Sequence, residues 1–185
     1  MIHRVRTAAT LLAASLFLVG CAGTPPDTET AAPKVEPAAG ETITGESYSF
    51  VAPEGWAVPE DVPEVGADTL VADLTDTDGF ADNLNVVPTP GGEVTPEQVE
   101  TEGVKELEGA GATDVSFGDR LTVAGSEAAN LSALFSSGGT EYRIQQYYLT
   151  RDGQTYVVTF SFSPTVSEAD RNDLAQSVLA TWEWA

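Results

Sequence analysis

Histidine occurs once in the 185 residues, at His3, and cysteine once, at Cys21. With the histidine so close to the start, the folded part has no base for a Ser-His or Cys-His nucleophile and no imidazole for a metal. A single cysteine excludes an internal disulfide and a thiolate metal cluster. Lysine and arginine are scarce, eight together against 29 Asp and Glu, a formal charge of −21. A field of that sign repels polyanions, so nucleic-acid binding is excluded. No hydrophobic run reaches the roughly 20 residues that cross a bilayer.

What is present begins with a leader. His3, Arg4 and Arg6 precede a largely apolar run from Ala8 to Val19, too short to span and typical of a signal sequence. It closes on Leu18-Val19-Gly20-Cys21, which resembles the lipobox of bacterial lipoproteins. Cys21 is accordingly the expected lipidation site and the N-terminus after cleavage. An unpaired exposed thiol outside the cell would otherwise be open to oxidation. Acyl chains on one residue suffice for stable anchoring, because each buried methylene contributes about 0.8 kcal/mol. The expected place is therefore the extracytoplasmic face of the cell membrane, with the membrane contacted only through lipid. Without the leader, six basic residues face 29 acidic ones, a formal −23.

Residues 1–20 are read as signal peptide, 21–44 as lipidated cysteine and tether, and 45–185 as one globular domain. The tether reading follows from Pro25, Pro26, Pro33 and Pro37 among Ala, Thr, Gly and Glu, with no aromatic residue to found a core. The domain opens on an alternating strand, Tyr48 to Val51, a Pro53-Glu54-Gly55 turn and a second strand at Trp56. Further strands are expected near Thr69 to Leu74 and Phe80 to Val87. Thr95-Pro96-Glu97-Gln98 is a capping box that starts a helix, with Val99, Gly103 and Leu107 at helical spacing and Gly109 and Gly111 at its end. After a short strand from Asp114 to Phe117, three long antiparallel strands are joined by Ser137-Gly138-Gly139 and Asp152-Gly153. In the first of these, Ala128, Asn130 and Ser132 share one face of their strand, opposite Ala129, Leu131, Ala133 and Phe135. Tyr156, Val158, Phe160 and Phe162 share a face of the last. A final helix capped by Ser167 runs to about Ala180, ahead of Trp182-Glu183-Trp184.

Catalytic chemistry finds little to work with. Lys34 lies in the tether and Lys105 on a solvent-facing helix, so a Ser-Lys pair is not expected. Carboxylates abound, yet a glycosidase needs two of them roughly 5 to 9 Å apart with one buried, and no pattern places two on one buried face. Asp73-Leu74-Thr75-Asp76-Thr77-Asp78-Gly79 shares the Asp-x-Asp-Gly end of a calcium loop, but Leu74 and Asn85 stand where ligands belong. A turn is the expected reading, and neither metal nor cofactor is expected. Tyr48, Phe50, Tyr156, Phe160 and Phe162 read as core. Trp56 and Tyr147 are the candidate contact residues for a partner, and Arg143 is expected to pair with a carboxylate.

Ser49-Phe50-Val51-Ala52-Pro53-Glu54-Gly55-Trp56, Gln146-Tyr147-Tyr148-Leu149, the capped helix, the three long strands and the closing helix before a Trp together resemble the PsbP-like fold, and more narrowly the LpqN/LpqT-type lipoproteins of actinobacteria. The resemblance covers about 45 to 185. It implies an α+β fold, an antiparallel sheet sandwiched by helices, and an accessory or binding role without a reaction. The functional expectation is a non-enzymatic, lipid-anchored envelope lipoprotein that binds a membrane protein complex or an envelope lipid or glycolipid. The alternative is a carboxylate-based hydrolase acting on envelope glycans.

Overall fold

The computed structural model describes residues 35–60 and 66–185. Leader, Cys21 and most of the expected tether lie outside those residues. The architecture is α+β and mostly antiparallel. Eight strands form the main sheet in the order β3-β4-β5-β10-β9-β8-β6, with β7 paired on β8. These are β3 (Trp56–Ala57), β4 (Thr69–Asp73), β5 (Asn83–Pro88), β6 (Thr113–Phe117), β7 (Leu121–Val123), β8 (Ser126–Ser137), β9 (Thr140–Arg151) and β10 (Gln154–Phe162). A smaller sheet joins β1 (Thr42–Thr44), β2 (Tyr48–Val51) and β11 (Glu183–Trp184) in the order β1-β2-β11.

Turn chemistry sets the long hairpins. Asp152 and Gly153 have φ of 51° and 79°, and Gly138 and Gly139 have 62° and 88°, the paired positive angles whose twist matches that of the strands they join. The expected turn at Thr75 to Gly79 is also present. There Asp73, Asp76 and Asp78 each accept a backbone N–H two residues on, from Thr75, Asp78 and Phe80, so their oxygens organise the loop.

The helix begun at Thr95 is a composite. Its capping box is complete, with Thr95 Oγ1 accepting from Gln98 N and Gln98 Oε1 accepting from Thr95 N. Then α1 (Pro96–Gln98) widens into a π turn (Val99–Gly103) before α2 (Val104–Gly109). The closing helix α3 (Glu168–Leu179) is capped by Ser167, whose hydroxyl accepts from Asp170 N.

Two apolar layers flank the main sheet. On one face, Tyr147, Leu149, Val158, Phe160 and Phe162 pack with Ala175, Val178 and Leu179 of α3 and with Ile43, Tyr48 and Phe50 of the small sheet. On the other, Val99, Val104 and Leu107 of the composite helix cover Ala129 and Leu131. The boundary expected at 44/45 therefore falls inside folded structure. Ile43 is buried, β1 pairs with β2, and Ala38 N donates to Ser177 O, because Thr42-Ile43-Thr44 is an alternating strand that the proline-rich composition upstream concealed. Phe80, expected to open a strand, instead stacks on Tyr142 beside the aspartate turn, and β5 starts at Asn83.

Candidate functional site

The face of β8 and β9 that turns toward α3 changes character along its length. Register pairs Asn130 with Tyr147, Ser132 with Gln145 and Leu134 with Arg143. Strand alternation keeps Tyr147, Gln145 and Arg143 on one side. Leu149 and Tyr147 feed the core, whereas Gln145 and Arg143, two and four residues earlier, are polar and charged. At the point where apolar gives way to polar, a cavity of about 920 Å³ opens. One wall is α3, through Glu168, Arg171, Asn172 and Gln176, and another is β6 with the segment that follows it. Strand β6 carries a bulge between Thr113 and Ser116, where Asp114 sits at φ 52°. Such a bulge re-aims side chains, and here it brings Asp114 onto Arg143 at 2.6 Å.

Three of the six basic residues beyond the leader line this cavity: Arg120, Arg143 and Arg171. They are not equivalent. Arg120 is held at its edge by Glu97, Glu100 and Glu127 at 2.7 to 3.0 Å, and its hydrogen bonds to Glu100 and Glu97 hold its pKa above the ordinary value. The same guanidinium keeps the Glu100 carboxyl below its usual range. Arg143 pairs with the exposed Asp114, whose side chain is 70% accessible. Arg171 is buried, donates from Nη1 to the Val166 carbonyl, and has no carboxylate within ion-pair distance among the described residues. Burial lowers its pKa, the positive charge of Arg143 lowers it further, and Glu168 only partly opposes them.

Unpaired polar atoms gather here too. Of six side-chain atoms that are shut off from solvent and lack a hydrogen-bond partner among the described residues, three belong to the cavity wall: Asn130 Oδ1, Gln145 Oε1 and Arg171 Nε. Gln145 Nε2 does donate to Asn172 Oδ1, which ties β9 to α3 across the floor. A buried polar group without a partner costs about 1 to 3 kcal/mol, so three in one wall are an expensive arrangement for packing alone.

The two contact residues expected from sequence lie elsewhere. Trp56 and Tyr147 are 7% and 0% exposed and belong to the main apolar cluster, so neither offers a surface to a partner. Both sit in strands whose inward register places them in the core. Arg143 does form the expected ion pair. Sequence reasoning missed Asn130, Gln145 and Arg171 as a group. A signal existed, since polar Asn130 and Ser132 continue the face of Ala128, and Gln145 and Arg143 continue that of Tyr147. Arg171 could be joined to them only by the docking of α3.

No family model matches this chain, and no curated protein matches it in sequence. Solved structures do match in shape. A Synechocystis PsbP aligns at TM-score 0.54 and 16% identity over 78% of this chain and 92% of its own. The LpqN of Mycobacterium tuberculosis, described as involved in cell envelope biogenesis, aligns at 0.52 and 13% over 78% and 90%. A Bacteroides thetaiotaomicron protein aligns at 0.45 and 16% over 75% of this chain, and the chain spans 45% of that protein's length. The fold is thus PsbP-like, as the order of elements implied.

Proposed function

We propose that this protein is a lipid-anchored, non-enzymatic accessory protein of the cell envelope, acylated at Cys21, whose cavity between α3 and β6, β8 and β9 captures an envelope molecule. The observation that carries the reading is the buried Arg171 beside Arg143 in a wall with three unpaired polar atoms. Unsatisfied groups of this kind are what a ligand satisfies. The leader ending in Leu18-Val19-Gly20-Cys21 supports the anchor, and no helix among the described residues is long and apolar enough to cross a membrane. Similarity in shape to LpqN, a protein of envelope biogenesis, supports the setting. Capture is favoured over hydrolysis because Asp114, a carboxylate on the cavity, is engaged by Arg143 and is largely exposed, the opposite of a buried acid.

The test is labelling of the host with a radioactive fatty acid, membrane fractionation, and native mass spectrometry of the protein after exposure to an envelope extract. Wild type should be labelled, sediment with membranes and retain a stoichiometric molecule, and Cys21→Ala should lose label and sedimentation. Sedimentation of unlabelled Cys21→Ala would overturn the anchor. An extract that leaves the protein bare would overturn capture.

A further inference from the structure

Two features of the cavity specify opposite halves of a ligand. Arg143 and Arg171 offer guanidinium N–H groups, Arg143 sharing its charge with exposed Asp114 and Arg171 feeling Glu168 without an ion-pair partner among the described residues. Guanidinium donors in that setting match the oxygens of a carboxylate or phosphate. Asn130 Oδ1 and Gln145 Oε1 are acceptors with no donor among the described residues, and a buried acceptor calls for one. A simple inorganic anion supplies no donor for them, but hydroxyl groups do. Ser116, Ser132, Asn172 and Gln176 add neutral polar side chains to the lining. The volume of about 920 Å³ lies in the range of a small-molecule site and far exceeds a lone phosphate. It is also unexpected that a chain with 29 acidic residues should direct half of its mature cations to one concavity. The exposed carboxylates Asp114, Asp119 and Glu168 stand around them and would screen out anions that bring charge alone.

We infer that the cavity binds a hydroxylated anion, a sugar bearing a phosphate or carboxylate group, with the anionic oxygens on Arg143 and Arg171 and the hydroxyls on the amides of Asn130 and Gln145. The inference rests on the reading of this cavity as the capture site and names the chemistry of what it captures. Asp114 competes with the ligand for Arg143. It is therefore a negative element of the site, and its removal strengthens binding.

The experiment is ligand-observed NMR titration of the full-length chain, produced with its leader and purified in a sugar-free zwitterionic detergent. The probes are a hexose 1-phosphate, a hexuronate, the neutral hexose and inorganic phosphate. The first two distinguish a glycosyl phosphate from an acidic polysaccharide unit as the source. At least one should bind saturably, roughly tenfold or more tighter than both the neutral hexose and phosphate, as loss of one charge-assisted contact implies. Arg143→Gln should weaken it by about tenfold or more, and Arg151→Gln, whose parent side chain pairs with Asp152 outside the cavity, should leave it unchanged. Asp114→Asn should tighten it by several-fold. Asparagine tolerates the positive φ at that exposed position, so this variant keeps the test valid if Arg143→Gln prevents folding. No binding by either charged sugar, equal binding of the neutral hexose or of phosphate, or indifference to both Arg143→Gln and Asp114→Asn would overturn the inference. A bare response to every probe alongside a retained molecule from the envelope extract would overturn the sugar-anion chemistry while leaving the capture reading intact.

Discussion

Tyr147 shows what a single side chain contributes when burial and hydrogen bonding disagree. Its ring is fully buried and meets Phe160 edge to face at 6.1 Å, yet its hydroxyl has no hydrogen-bond partner among the described residues. Burial raises its pKa well above the ordinary value, so the group is neutral at any physiological pH. Removing an unsatisfied buried hydroxyl while keeping the ring should be neutral or stabilising, by up to about 1 kcal/mol. Tyr147→Phe is expected to unfold at an equal or higher urea midpoint than wild type. A loss of more than about 1 kcal/mol would mean that the hydroxyl has a partner after all. Asp82 makes the converse case. Its Oδ1 accepts from Ser163 N at 2.7 Å, but burial first, and then the charges of Asp76, Asp78 and Asp73, push its carboxyl from 3.8 up to about 6. Between those two values the folded state holds more protons than the unfolded chain, so this contribution to stability is present at low pH and is lost as pH rises from about 4 through 6. Solvent screens a half-buried group, so the effect is about 1 kcal/mol. Asp82→Asn keeps an oxygen for Ser163, and should raise the melting temperature at pH 7 and flatten its dependence between pH 4 and 6. A lower melting temperature at pH 7 would show that the charge itself is needed.

Elements were legible where the chemistry is local. The Thr95 box, the Ser167 cap, the Asp152-Gly153 and Gly138-Gly139 turns and the alternation of β10 can all be read from neighbouring residues, because each signal and its partner lie within a few positions. The π turn could not be read that way. Val99, Gly103 and Leu107 fit a plain helix, and nothing in their spacing marks the extra width. Gly103 lies close against the sheet, where an added Cβ would stand 3.0 Å from Leu131 Cδ1 and 3.5 Å from Val99 Cγ1. Helix propensity favours alanine there by about 1 kcal/mol, so contact with the sheet outweighs it. Gly103→Val should therefore destabilise by about 1 to 3 kcal/mol through overpacking, measured by urea denaturation. A stabilised variant would mean that the helix can lift off Leu131 at no cost. The same distinction explains the site. Arg143 and Gln145 announce themselves as polar residues in the inward register of β9, but Arg171 joins them only through tertiary packing of α3, and no local pattern encodes that. Trp56 and Tyr147 failed as surface residues for a related reason, since aromatic character marks a strand position without saying which layer covers it.

Across the whole molecule, charge is the least balanced quantity. Five of 29 acidic residues pair with a guanidinium among the described residues, three of them on Arg120 alone. Repulsion among the remainder opposes compactness, and at 0.01 M salt it reaches over about 30 Å. Salt acts on two opposed terms. It weakens the exposed ion pairs, each contributing at most about 1 kcal/mol, and it screens the far more numerous like-charge contacts. The second term is larger in a chain at −21, so raising sodium chloride from about 0.01 to 0.3 M should raise the melting temperature by several degrees, most steeply below about 0.1 M where the screening length changes fastest. Arg120→Gln should make the rise steeper, because it removes the attractive network and leaves Glu97, Glu100 and Glu127 facing one another. A melting temperature that falls with salt would mean that the Arg120 network outweighs the global repulsion. The same screening should weaken capture at the cavity, where the attraction is local and of opposite sign. Stability and ligand affinity are thus expected to move in opposite directions along one salt titration, which a denaturant or a general solvent effect would not produce.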